Sequence, residues 1–306
     1  MNILIAGASG FIGKSLIKRL QQGHQITVLG RDKQTLVDAF ADSVKVCTWH
    51  ELDTLNPHDY AVVINLSGHN IAAARWTDAV KQQIIESRVH SSQTLSQWIM
   101  GQRAKPRFFC ANAVGIYGLQ DNGDLGAFDE DTVIDMAHPR DEMSNIGIRW
   151  QAALQPLMDY GVSVTTLRFG VVLKKQDGML KKLFLSYYFG LGSVIGDGTQ
   201  MISWIHMDDL VNAIQFILER PELSGAFNLT SPQPVSQAQF ARTLAQAMHR
   251  PLFLNMPAMV IRWLFGEMGE CLLLKGQRVL PKRLLDAGYV FQYPDLHSAL
   301  NREFGT

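Results

Sequence analysis

Gly7, Gly10 and Gly13 close the opening stretch Met1-Asn-Ile-Leu-Ile-Ala-Gly7-Ala-Ser9-Gly10-Phe11-Ile12-Gly13, where an apolar run breaks and a helical pattern takes over. A glycine turn at the end of a strand lets main-chain N–H groups and the positive end of the next helix face a pyrophosphate, which side chains would hold away. Gly7, Ser9, Gly10, Phe11, Ile12 and Gly13 are therefore the expected cradle for a dinucleotide. Gly30-Arg31-Asp32 bears on which dinucleotide. A carboxylate about twenty residues beyond the glycines binds a free ribose 2′-OH, whereas a guanidinium suits a 2′-phosphate. Gly30 leaves room and Arg31 supplies the fork, so NADP(H) is expected over NAD(H). Asp32 competes, because a strand ending one residue later would bring its carboxylate to the ribose.

The elements that must position these residues are legible around them. Ile3, Leu4 and Ile5 read as a buried strand, Ile12, Leu16 and Leu20 as one face of a helix, and Gln25 to Leu29 as a second strand. Together they form a βαβ unit of about thirty residues, the setting the glycine motif requires. Gly13-Lys14-Ser15 resembles the close of a P-loop, but Ala8 stands where that motif begins with glycine. The strand Ala61 to Leu66 also carries Asn65 rather than a magnesium-binding acid. That strand ends in Ser67, Gly68, His69 and Asn70, expected at the ligand-binding edge of a parallel sheet or in a plain turn. A long polar helix from about Asp78 to Ile99 follows, with Thr77 as its N-cap. Ser87 and Arg88 on it reach toward the cofactor ribose, or Arg88 is a solvated charge. The fold class is α/β, a Rossmann-type doubly wound parallel sheet with a smaller, mostly helical C-terminal substrate subdomain.

Composition sets limits. The 306 residues are 47% hydrophobic and 18% charged, enough for one large α/β domain and a smaller unit. With 28 basic and 28 acidic residues, neither nucleic acid nor an anionic membrane is implied as a partner, and a small-molecule substrate is expected. Cys47, Cys110 and Cys271 suit neither a paired disulfide framework nor a metal site, and read as reduced core residues. Met1 opens directly into the first strand and no apolar run reaches about eighteen residues, so a cytoplasmic protein is expected.

Beyond the strand Phe108 to Ala111, an ordered set of motifs carries a family resemblance. Gly7-x-x-Gly10-Phe-Ile-Gly13, Asn65-Leu-Ser-Gly68, Tyr117-Gly118, Arg168-Phe-Gly170 and Trp204-Ile-His206-Met-Asp208-Asp209 occur in the order found in extended short-chain dehydrogenase/reductases. Arg75-Trp76-Thr77, Ser87-Arg88-Val89, Gly196-x-Gly198-x-Gln200 and the run Gly276 to Leu284 resemble the atypical, sugar-nucleotide epimerase-like branch, over essentially the whole chain. The resemblance implies further cofactor contacts from Leu66, Phe169 and Gly170, and a sugar nucleotide or similar polar carbonyl compound as substrate.

Typical members use Tyr-x-x-x-Lys with a nearby hydroxyl, the tyrosine exchanging a proton while the lysine lowers its pKa. None of the seven tyrosines here has lysine four residues on; the pair would fall near Asp141 and Asn145, and Asn112 stands where a hydroxyl is wanted. Replacement candidates are Tyr117, which the resemblance sets in the substrate cleft, His206, titratable near neutral pH, and Asn112 as a donor to a bound carbonyl. Tyr117 as a packing aromatic and His206 as a core histidine are the competing readings.

The expected cofactor domain is 1–172 plus about 206–230, with 173–205 and 231–306 as the substrate part. Val164 to Phe169 is read as the last main strand, and Lys181, Lys182, Tyr187 and Tyr188 as suited to a phosphate-bearing ligand or as surface residues. Asp208 and Asp209 are expected to serve a helix start, and Ser236 with Gln239 a capping box for a helix through His249. Leu252 to Leu274 is expected to be buried, with a homodimer surface as the alternative. Two functions remain from the sequence: an NADP(H)-dependent epimerase or oxidoreductase, and a non-catalytic NADPH-binding regulatory or scaffold protein.

Overall fold

The computed structural model describes residues 1–305, apart from the side chain of Asp42. Six strands alternate with helices through the first half of the chain: β1 (Asn2–Ala6), β2 (Gln25–Gly30), β3 (Lys45–Thr48), β4 (Val62–Asn65), β5 (Arg107–Ala113) and β6 (Val164–Phe169). Between them lie α1 (Phe11–Leu20), α2 (Lys33–Phe40), α3 (Asp78–Gly101), α4 (Glu142–Ala152) and α5 (Gln155–Asp159). There follow β7 (Val171–Lys174), α6 (Gly178–Tyr188), β8 (Ser193–Ile195), β9 (Met201–Ile202), β10 (Trp204–His206), α7 (Met207–Leu218) and β11 (Gly225–Leu229). The C-terminal part holds β12 (Val235–Ser236), α8 (Gln237–Ala247), β13 (Leu254–Met256), α9 (Ala258–Gly269), α10 (Lys282–Asp286) and α11 (Leu296–Phe304).

The main sheet is parallel throughout, in the order β11-β6-β5-β4-β1-β2-β3. Its central strands are apolar on both faces, as a sheet covered by helices on each side requires. One face buries Leu16 and Ile17 of α1 with Leu210 and Ile214 of α7, and the other buries Leu95 and Ile99 of α3 with Leu157 of α5. Strand order reverses between β1 and β4, which puts the ligand crevice at the C-terminal ends of those strands.

β6 is not the last main strand. Gly225–Leu229 continues the sheet, in register from Thr165 opposite Gly225 to Phe169 opposite Leu229. The polar Asn228 inside it, wholly buried, hides the apolar pattern that would have marked it. A separate core joins Leu180, Tyr187 and Trp204 to Phe240, Leu244 and Leu300. However, Leu284, Tyr289 and Phe291 from the C-terminal part pack within the core of the main sheet. Both Asp209 oxygens hold that tail: Oδ1 accepts from Gln292 N at 2.7 Å and Tyr289 Oη at 3.1 Å, and Oδ2 from Tyr293 N at 2.8 Å.

Three smaller expectations change. Ser236 caps α8 through Gln239 N at 3.2 Å, but that helix ends at Ala247, and His249 beyond it adopts a left-handed φ of 52°. The stretch Leu252 to Leu274 buries Ile261 and Leu274 while exposing Phe253, Met259 and Trp263. Lys181, Lys182, Tyr187 and Tyr188 make no phosphate-collecting set: Lys182 donates to Ala72 O, Tyr187 is buried beneath Gly192, and Tyr188 carries Arg250 on its ring. No helix among the described residues is long and apolar enough to cross a membrane.

Candidate active site

The glycine turn has the geometry its spacing predicts. Gly7 takes a φ of +76°, and a Cβ there would lie 2.6 Å from the Leu66 carbonyl carbon and 2.7 Å from Ser67 N. Glycine is required because β1 and the end of β4 touch at this point. Gly13 is packed just as closely, under the main chain of Ala8. Gly10 N bonds to Gly7 O at 3.1 Å, and Gly10 is the N-cap of α1 without a side-chain cap, leaving the first-turn N–H groups for a ligand. Ser9 and Gly10 are exposed on the turn, with Phe11 and Ile12 half-buried behind them.

At the end of β2 the two candidate ribose contacts separate. Asp32 is the N-cap of α2, its Oδ1 accepting from Thr35 N at 2.7 Å, and this hydrogen bond holds its carboxyl below the ordinary value. Arg31 beside it is exposed. The small size of Gly30 has a further cause: a Cβ there would come 3.0 Å from Leu36 Cδ1.

Across the strand reversal lies a cavity of about 310 Å³ at the ends of β5 and β6. Asn112, Ala113, Phe169 and Gly170 form its floor, Arg88 of α3 and Ile71 one side, and Met201 to Ser203 with Cys271, Lys275 and Gln277 the roof. The remaining wall is α4, through Met143, Ile146, Gly147 and Trp150. Those four fall at helical spacings of three and four, so one face of α4 lines the cavity, and it carries no titratable group. Asp141 instead caps α4 through Ser144 N and binds Leu119 N, and Asn145 pairs with Glu142. Lys275 is the one titratable roof residue besides Cys271, whose thiol burial pushes up to about 11.

Asn112 lines the cavity floor, but its amide is partly committed: Nδ2 donates to Gly147 O at 3.1 Å and Oδ1 accepts from Ala113 N at 2.8 Å. The other two expected catalytic groups do not face the cavity, and this corrects their placement. Tyr117, 3% exposed, donates to Asn228 Oδ1 at 2.9 Å and accepts from Arg168 Nη1 at 2.7 Å while its ring stacks on Phe128. Burial raises its phenol above the ordinary value despite the nearby Arg168. His206, wholly buried, is the N-cap of α7: Nδ1 accepts from Asp208 N at 3.2 Å, so Nε2 carries the proton and donates to Glu303 Oε1 at 3.0 Å.

Arg88 is the unusual group of the site. Its Nη1 donates to His69 O at 3.0 Å and Ile84 O at 2.8 Å, its plane lies over Trp150 at 4.9 Å, and Gly68 sits against it. Nε is covered and unpartnered, and desolvation without a carboxylate partner lowers the guanidinium to about 10. Of the cavity residues, Trp150 and Lys275 were not singled out from the sequence, whereas Gln277 falls in the run Gly276 to Leu284 that carries the resemblance. The place of Trp150 on the α4 face was readable from helical spacing; nothing local marks Lys275.

Comparison with known proteins agrees with this architecture. Residues 3–230 match the NAD dependent epimerase/dehydratase family, and residues 256–303 match a domain of unknown function, DUF1731. The Epimerase family protein YfhF of Bacillus subtilis is 34% identical over 304 residues, covering 99% of this chain and 97% of that one. The crystal structure of human epimerase family protein SDR39U1 with NADPH superposes with a TM-score of 0.88 at 30% identity, covering 99% of each chain. UDP-glucuronic acid 4-epimerase from Bacillus cereus, at 17% identity, TM-score 0.77, and coverage of 99% of this chain and 98% of that one, shares the fold. The chain belongs to the NAD-dependent epimerase/dehydratase family, as an atypical extended short-chain dehydrogenase/reductase with the C-terminal extension of that branch.

Proposed function

We propose that this protein is an NADP(H)-dependent oxidoreductase acting on a polar carbonyl compound or the corresponding alcohol. The observation that carries the cofactor reading is the division of labour after β2: Asp32 is committed to capping α2, which leaves Arg31 as the free group beside the ribose. Gly7, Ser9, Gly10, Phe11, Ile12 and Gly13 would hold the pyrophosphate, with Leu66, Ser67, Gly68, Phe169 and Gly170 along the path toward the cavity. The NADPH in the structure of the 30% identical human relative supports the same choice. When bound, the nicotinamide supplies hydride exchange with a carbon at the cavity floor. The chain's own part is to exclude water with the α4 wall and to donate hydrogen bonds to the substrate oxygen, Asn112 being one donor. Hydride exchange at a carbonyl or alcohol also needs a proton moved at the substrate oxygen. With no Asp, Glu, His or Tyr among the described lining residues, Lys275 and Cys271 are the side chains left for it. Epimerisation of a sugar nucleotide, the other half of the family expectation, makes the same demand.

The test is thermal unfolding with each cofactor. At a hundredfold excess over Kd, binding contributes about 2.7 kcal/mol, equivalent to about 4 °C for a chain of this size. NADPH is expected to give a shift of that order and NADH a much smaller one, with Arg31→Ala removing the difference. Equal shifts in the wild type would refute the NADP assignment. Screening the NADPH-loaded protein against carbonyl compounds by absorbance tests turnover, and tight binding with no turnover would favour the non-catalytic reading.

A further inference from the structure

An arginine half-buried without an acid is an incomplete arrangement, because its desolvation is repaid best by a counter-charge. Arg88 is that case in this protein. Both of its protein hydrogen bonds leave from Nη1 and go to main-chain carbonyls, while Nε and Nη2 have no acceptor among the described residues. Nε–H and one Nη2–H lie along the same side of the guanidinium, the edge that grips the two oxygens of a carboxylate in parallel. Trp150 packs on the plane of the group and Gly68 packs against Cζ and Nε, where a Cβ would come within 3.2 and 3.4 Å. Asp and Glu are missing from the cavity lining among the described residues, and Lys275, paired with Asp121 Oδ1 at 3.3 Å, stands at the roof. Ile71, Val114, Ile146, Phe169 and Leu272 make much of the remaining wall apolar, with Asn112, Ser203 and Gln277 as its polar side chains.

We infer that Arg88 forms an anion subsite in the cavity, and that the ligand it takes is a compact carboxylate with an apolar body. This rests on the cavity being the substrate site proposed above, and it narrows that substrate from polar carbonyl compounds in general to those carrying an acid group. A phosphate is the weaker fit, because its many acceptor oxygens would face walls with few donors.

The test is calorimetric titration with benzoate, its neutral isostere benzamide, inorganic phosphate and UDP-glucose, with and without saturating NADP⁺. Benzoate is expected to bind about tenfold or more tightly than benzamide and more tightly than inorganic phosphate. The benzoate–benzamide difference is expected to vanish in Arg88→Met and to survive in part in Arg88→Lys, which keeps the charge but not the fork. In ¹⁵N spectra the Arg88 Nε–H signal should move on adding benzoate and stay in place on adding benzamide. Equal affinity for the two probes in the wild type overturns the inference, as does selectivity for phosphate or binding of UDP-glucose alone. Loss of NADPH affinity in Arg88→Met without any benzoate selectivity overturns it too, by giving Arg88 to the cofactor. If NADPH fails to bind the wild type at all, it is the cofactor reading that falls, while the benzoate comparison without cofactor still decides the subsite. Should Arg88→Met not fold, the wild-type ratio and the Nε–H signal are sufficient.

Discussion

A tyrosine that looks catalytic in the sequence is held here by two partners far along the chain. Tyr117 bridges Arg168 and Asn228, and the Arg168 guanidinium itself bears on Gln151 rather than on a carboxylate. Removing the hydroxyl leaves Asn228 Oδ1 and Arg168 Nη1 without their partner in a buried site, so Tyr117→Phe is expected to cost about 1–3 kcal/mol. The melting temperature should fall by several degrees while NADPH affinity stays within about threefold of the wild type. Unchanged stability with lost turnover would restore the catalytic reading. The contrast with the glycines shows what a sequence discloses at this scale. Gly7 answers to a backbone angle and a close approach made within one βαβ unit, and such demands are local. Whether Tyr117 or His206 faces a cavity depends on residues 51 to 111 positions away, Arg168, Asn228 and Glu303.

The last helix, α11, acts on the site's scaffold through one carboxylate. Glu303 Oε1 accepts from His206 at 3.0 Å and stands 3.7 Å from Lys174 Nζ, and Oε2 accepts from Lys175 N at 2.6 Å, so α11 fastens the end of β7 to the start of α7. Burial pushes the Glu303 carboxyl up, but these partners outweigh it and hold the group below its ordinary value. A depressed folded pKa stabilises the fold above the unfolded value of 4.5, and that contribution is lost as pH falls through the folded pKa. Glu303→Gln should therefore lower stability by about 1.5–3 kcal/mol near neutral pH, measured by urea unfolding. The gap to wild type should narrow as pH drops below 4.5, and a gap that does not change with pH would show that shape rather than charge matters. Although β3 and α2 did not declare themselves, many elements were legible at this scale: β1, β2, β4, β5 and β6, with α1 and α3, follow apolar periodicity and capping residues. β11 was not, because its central Asn228 is paid for by tertiary bonds to Tyr117 and Leu280, which no local pattern reports.

Taken whole, the molecule ties its C-terminal part into the main sheet. Leu284, Tyr289 and Phe291 fill the core of the main sheet, Arg283 donates to the carbonyls of Ser224 and Ala226, and Phe128 bridges to Val279. A chain cut to residues 1–255 keeps all seven strands, yet is expected to show no cooperative thermal transition and no stabilisation by NADPH. A melting temperature within a few degrees of the full chain would contradict this. The same interlock governs the order of events in the cell. Domains made of consecutive residues fold as they leave the ribosome, amino end first. Here the roof at Lys275 to Gln277 and the partners of the Asp209 clasp, Gln292 and Tyr293, follow all seven strands of the main sheet in the chain. The nascent sheet therefore stays incompletely covered until those segments have emerged.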